Sequence, residues 1–97
     1  MTLQQMKYLL TLKEEKKITL AAQKCFISQS AMSQQLKKVE EEVGAILFYR
    51  QGGLWLPTEA GEVLLKNFRK ILDIYERSIK KIHQDPNLLA PEISLAM

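Results

Sequence analysis

Phe26-Ile27-Ser28-Gln29-Ser30-Ala31-Met32-Ser33-Gln34-Gln35-Leu36-Lys37-Lys38-Val39-Glu40-Glu41-Glu42-Val43-Gly44 carries the clearest helix signals in the chain. Ser28 suits a helix N-cap, because its hydroxyl oxygen can accept from an orphan amide of the first turn. Ile27 before the cap and Met32 four residues after it suit a hydrophobic staple, and Gly44 suits a left-handed stop. Between them Met32, Leu36, Val39 and Val43 recur at helical spacing and predict one narrow buried stripe. The opposite face carries Ser30, Ser33, Gln34, Lys37 and Lys38, with Gln29 in the first turn. Hydroxyls and amides can bond base edges and lysines can meet phosphates, so this face predicts a helix that reads DNA. A merely solvated face would have a similar composition, and the flanking sequence has to decide between the two.

Upstream, residues 3 to about 15 predict an amphipathic helix, with Leu3, Met6, Leu9 and Leu10 on one face and Tyr8 and Leu12 flanking it. Thr2 and Gln5 have the spacing of a capping box at its start. Thr19 is expected to cap a short second helix, Leu20 to Cys25, whose inward positions Ala21, Ala22 and Cys25 are small. Small residues let two helices approach closely, as the elbow of a helix-turn-helix requires. Phe26 and Ile27 are expected to fill the turn.

Downstream, Ala45 to Arg50 and Leu54 to Pro57 form two short apolar runs around Gln51-Gly52-Gly53, the pattern of a hairpin. Pro57 confines the second run to an edge or an end. Trp55 is expected to pack against the helices. Thr58 then caps a long helix, residues 59–84, with Glu59 and Glu62 favourably near its N-terminus. Leu64, Phe68, Ile71, Tyr75 and Ile82 follow steps of four and three interrupted at Ser78, while Leu65, Leu72 and Ile79 widen the stripe. At 1.5 Å per residue such a helix runs roughly 39 Å, too long for the preceding headpiece to cover. Coiled-coil-like pairing with a second copy is expected, with Leu64, Phe68, Ile71, Leu72, Tyr75, Ile79 and Ile82 as the dimerisation residues. Folding back onto its own headpiece is the alternative. Asp85-Pro86-Asn87 should break the helix, and Ile93 to Met97 reads as a strand without a partner, as the start of a further domain would.

The expected fold class is therefore mainly α: three helices and a short two-stranded wing, a winged helix-turn-helix, followed by a long linker helix. The expected division is 1–58 headpiece, 59–84 linker helix and 85–97 hinge. Composition agrees with this, since 97 residues with 46% apolar and 26% charged content suit one small globular domain with an appendage. The sequence contains neither a membrane-length apolar run nor a signal-peptide pattern, and its single cysteine allows no intrachain disulfide, so the cytoplasm is expected. The net charge of +3 is ordinary, but its placement is not. Residues 1–58 hold eight Lys/Arg against five Asp/Glu, and residues 59–97 hold six against six. The whole excess lies with the candidate DNA-reading helix.

Catalysis is not expected. Cys25 suits core packing, His83 suits a helix C-terminus, and Glu40-Glu41-Glu42 reads as a solvated charge run. A lone Cys and a lone His make neither a metal site nor a catalytic pair, so no cofactor or metal is expected. A helical dimerisation or protein-interaction module that does not read DNA is the competing class. Such a module would carry aromatic or aliphatic anchors on the outer face of residues 28–44, where this chain has amides and hydroxyls.

In order, Leu3 and Tyr8, Thr19-Leu20-Ala21-Ala22, Ser28 to Ser33, Leu36 with Glu40-Glu41, Val43-Gly44, Leu47-Phe48-Tyr49-Arg50 and Thr58-Glu59-Ala60-Gly61 are the blocks in which the chain resembles the N-terminal region of the LysR-type transcriptional regulators. The resemblance spans residues 1 to about 84. It implies a winged helix-turn-helix joined by a linker helix to an effector-binding domain, which these residues lack apart from the strand-like tail. It implies base contacts from Gln29 and Ser33 and phosphate contacts from Thr19 and Ser28, and Arg50 matches the arginine closing the first wing strand. With the polar face of the helix, the expected base contacts are Gln29, Ser30, Ser33 and Gln34 and the expected phosphate contacts Thr19, Ser28, Lys37, Lys38 and Arg50. The implied partners are a duplex operator of partly palindromic sequence and a second copy of the chain. Higher oligomers and a small-molecule effector are implied only through the further domain. Two departures stand out: Gln34 occupies a position that is commonly arginine, and the turn Gln51-Gly52-Gly53-Leu54 lacks the arginine that relatives insert into the minor groove.

Overall fold

The computed structural model describes residues 1–89. Its elements run α1 (Leu3–Glu15), α2 (Ile18–Lys24), α3 (Gln29–Val43), β1 (Phe48–Gln51), β2 (Leu54–Pro57) and α4 (Glu59–Gln84). This is the mainly α winged helix-turn-helix expected from the sequence, and the strand expected at Ile93–Met97 lies outside the described residues.

Local chemistry explains most of the boundaries. The α1 capping box forms, with the Gln5 amide donating to Thr2 Oγ1 and the Thr2 amide donating to Gln5 Oε1. Ser28 Oγ accepts from the Ala31 amide at the start of α3, and Gly44, at φ 79°, ends that helix. Gly52 and Gly53 have φ of 60° and 78° in a two-residue loop, and positive φ at both positions is what a type I′ hairpin turn demands. Pro57 sits at the end of β2, paired with Phe48.

The core is one cluster. Leu9, Leu10 and Leu12 of α1 meet Ile18, Ala21 and Ala22 of α2, Met32, Leu36 and Val39 of α3, Leu47 and Phe48 before and in the hairpin, and Leu65, Phe68 and Leu72 of α4. Ile27 packs partly against this cluster, as its staple position predicts. The small elbow works as expected: Ala21 and Ala22 are buried where α2 meets α1 and α3, with Cys25 partly buried beside them.

Five expectations are corrected here. The second helix starts at Ile18 with Lys17 as its N-cap, so Thr19 lies exposed in the first turn and caps nothing; burial of Ile18 against the core extends the helix backwards. Phe26 does not fill the turn, because its side chain is 95% exposed. The Phe26 amide donates to the Gln23 carbonyl and the Ile27 amide to the Ala22 carbonyl, a Schellman closure that puts Phe26 at φ 57° and turns its side chain outward. Val43 is exposed, since the stripe of α3 leaves the core one turn before the helix ends. Leu12, expected to flank the α1 stripe, is fully buried within it.

Glu40 is the fifth. It is not part of a solvated run: its Oε2 accepts from the Leu47 amide at 2.7 Å and more weakly from the Phe48 amide at 3.4 Å, tying α3 to the start of the hairpin.

The long helix behaves as two halves. Up to Leu72 it lies on its own headpiece, with Phe68 at 2% and Leu72 at 4% exposure and Leu64 partly buried. These three of the expected dimerisation residues therefore pack, wholly or in part, within the chain that carries them. Beyond Leu72 no residue of the helix is buried, and Ile74, Tyr75, Ile79 and Ile82 are exposed, as is Ile71 just before it. Three features fasten the inner half. The Thr58 amide donates to the Leu47 carbonyl at 2.9 Å, and Thr58 Oγ1 donates to the Ile46 carbonyl at 2.7 Å. Gly61 is pressed so closely to Leu47 that an added Cβ would lie 2.1 Å from the Leu47 carbonyl oxygen. Lys13 and Arg69 make exposed ion pairs with Glu62 and Glu14, at 3.3 and 2.7 Å, across the α1–α4 seam.

Candidate nucleic-acid interface

Burial of Met32, Leu36 and Val39 fixes the rotation of α3 about its axis and so determines what faces outward. Gln29, Ser30, Ser33, Gln34, Lys37 and Lys38 are all exposed. Among the described residues none of these six side chains makes a protein hydrogen bond or an ion pair, so their donors and acceptors are free for another molecule. By contrast Gln35, on the flank of the helix, is held through its Oε1 by the Gln5 side-chain amide at 3.0 Å.

The first turn of α3 adds a second kind of group. The helix N-terminus points free amides outward, and Ser28, exposed beside it, uses its oxygen as cap acceptor and keeps its hydroxyl proton to donate. Thr19, in the first turn of α2, is also exposed. Of the headpiece cations, Lys13 is paired with Glu62 and Lys24 with Glu15 at 2.7 Å. The hydrogen bond from Lys24 to Glu15, reinforced by the carboxylate charge, raises the lysine above its ordinary pKa. Lys37, Lys38 and Arg50 have no carboxylate partner among the described residues.

The hairpin stands beside α3. Alternate residues of a strand share a face, and Phe48 and Arg50 of β1 share one with Trp55 and Pro57 of β2. Phe48 is buried and Trp55 is packed partly against the core, so this is the inner face, as expected for Trp55. Arg50 lies at its outer end, with its guanidinium carbon 5.4 Å from the centroid of the Trp55 ring. Sequence reasoning placed Arg50 but missed that pairing; the register Arg50↔Trp55 across a Gly-Gly turn was the available signal. A cleft of about 570 Å³ separates α3 from the hairpin and is lined by Ser33, Leu36, Lys37, Ile46 and Trp55, with Glu40 and Glu41 further along.

A helix-turn-helix with a free polar helix face, a cationic rim and an adjoining hairpin defines the winged-helix class of regulators. Residues 3–62 match the family model described as "Bacterial regulatory helix-turn-helix protein, lysR family". The chain belongs to that family. It is 35% identical over 85 residues to the HTH-type transcriptional regulator BsdA of Bacillus subtilis (strain 168), a match covering 87% of this chain and 29% of that protein. It is 40% identical over 82 residues to the HTH-type transcriptional regulator BudR of Klebsiella aerogenes, covering 84% and 57% respectively. The chain thus spans less than two thirds of the length of these relatives. Among solved structures it resembles a CbnR_DBD-DNA complex, with a TM-score of 0.80 and 27% identity over 87% of this chain and 97% of that one. The BenM_DBD/benA site 1 DNA complex gives a TM-score of 0.82 and 27% identity over 87% of this chain and 94% of that one.

Proposed function

We propose that this chain is the DNA-binding portion of a transcriptional regulator that binds a partly palindromic operator as a dimer. The observation that carries the reading is the α3 face: six exposed, unpartnered polar and cationic side chains opposite the buried Met32–Leu36–Val39 stripe. With α3 in a major groove, Gln29, Ser30, Ser33 and Gln34 read base edges, Gln29 by a bidentate contact to adenine N6 and N7. Ser28, Thr19 and the α3 amides hold phosphates, while Lys37, Lys38 and Arg50 supply the sequence-independent attraction. Residues 1–58 form the headpiece, 59–84 the linker and 85–97 the hinge. The exposed outer half of α4, with Ile71, Tyr75, Ile79 and Ile82, pairs two headpieces. A small-molecule effector and higher oligomers belong to a larger domain of the kind the longer relatives have room for.

The reading assigns no catalysis to the chain, because the α3 face offers hydrogen-bonding and cationic groups in place of a converging acid, base and nucleophile. It also disfavours a protein-only interaction module, whose α3 face would carry apolar anchors. No described helix is long and apolar enough to cross a membrane, and a cytoplasmic site of action follows from the operator. Duplex binding should weaken steeply with salt. Neutralising three phosphates per headpiece gives a log–log slope of roughly −3 for each. Titration at several salt concentrations checks it, and a flat profile would count against the reading.

A further inference from the structure

We propose that Trp55 is a positioning residue for DNA binding: its ring holds the Arg50 guanidinium on the inner face of the hairpin beside α3, making Arg50 the phosphate contact of the hairpin. The inference rests on the DNA-binding reading above and adds a residue to it. Arg50 is the only charged residue between Gly44 and Pro57, and Gly52-Gly53 gives the hairpin tip no side chain, so any cation the hairpin offers has to come from a strand. Arg50 is also free of carboxylates among the described residues. What holds it is the indole ring 5.4 Å from its guanidinium carbon, within the range of a cation–π contact.

The platform itself is fixed. Trp55 packs against the core, and its amide donates to the Lys16 carbonyl at 2.7 Å, pinning β2 to the end of α1. Trp55 lines the cleft opposite Ser33 and Lys37. A helix lying in a major groove is flanked by sugar–phosphate strands, and the hairpin beside α3 meets one of them. Glu40 and Glu41, further along the cleft than Ser33 and Lys37, repel that strand and favour its lying toward the Ser33–Lys37 end. An arginine stacked on an aromatic face keeps its planar fork aimed while losing little freedom on binding phosphate, which a lysine cannot reproduce.

The test is a double-mutant cycle on the full chain with a mixed-sequence duplex at several salt concentrations. Arg50→Lys keeps the charge and leaves Trp55 in place; it should lower affinity about two- to five-fold with an unchanged salt slope. Trp55→Ala should cause a loss of the same size, Trp55→Phe should retain most of the affinity, and Trp55→Ala should cost nothing further in an Arg50→Ala background. Arg50→Lys binding like the wild type would overturn the proposal. So would Trp55→Ala weakening the Arg50→Ala protein as much as it weakens the wild type, since the indole would then act on DNA or on the fold without Arg50. Wild-type chain that binds no duplex would instead remove the DNA-binding reading on which the proposal stands.

Discussion

Phe26 holds a left-handed backbone with its ring in solvent, so the turn between α2 and α3 carries a conformational cost that no packing offsets. Phe26→Gly should therefore raise stability by about 0.5–1 kcal/mol, the left-handed penalty less the extra entropy of an unfolded glycine. Urea denaturation reads this as a higher midpoint; a lower one would mean that the ring packs somewhere. Glu40 runs the other way. Glu40→Ala leaves the Leu47 amide without its acceptor and should cost about 1–3 kcal/mol, whereas Glu40→Gln keeps an acceptor oxygen and should cost clearly less. Equal losses in the two variants would show that the charge, not the acceptor, matters. For Gln29, exposed in the first turn of α3, replacement by Ala should cost about 1–3 kcal/mol on the preferred duplex and little on random DNA. An equal loss on both would show that Gln29 does not read sequence.

At the scale of elements, α4 joins a buried half to an exposed one, and Gly61 is where the buried half comes closest to its support. Gly61→Ala drives a Cβ into the Leu47 carbonyl, and neither backbone can move aside without parting α4 from the hairpin. A loss of about 1–3 kcal/mol in thermal or urea unfolding is expected, and a neutral result would contradict that packing. The bounds of α1, α3, β2 and α4 were legible in the sequence because local chemistry sets them: a capping box at Thr2, caps at Ser28 and Thr58, and paired glycines at the turn; β1, expected over Ala45–Arg50, instead runs Phe48–Gln51. The start of α2 was not, because tertiary burial of Ile18 overrode the better capping residue Thr19. The Glu40 clasp was also hidden, since its partners are backbone amides, which leave no mark in residue identity. The division of α4 depends on where the headpiece ends beneath it, and helical periodicity is blind to that. The polar face of α3 was legible residue by residue, because three buried positions on a regular helix fix the rest. The placing of Arg50 over the Trp55 ring required the strand register as well.

For the molecule as a whole, the 52 Å long axis against 26 and 22 Å describes a compact headpiece with α4 projecting from it. The projecting half exposes Ile74, Tyr75, Ile79 and Ile82, an apolar strip that one copy leaves in water. Ile79→Glu should shift the chain from dimer to monomer in analytical ultracentrifugation without loss of helix content, since Ile79 touches no part of the headpiece core. A dimer that survives it would place the contact elsewhere. Selecting duplexes from a random pool with the wild-type chain shows whether α3 reads DNA sequence in a paired arrangement. Two related, inverted half-sites at a fixed spacing should be enriched, and the enrichment should be lost in Gln29→Ala. Recovery of no preferred sequence, or of one unrepeated site bound equally well by Gln29→Ala, would contradict that reading.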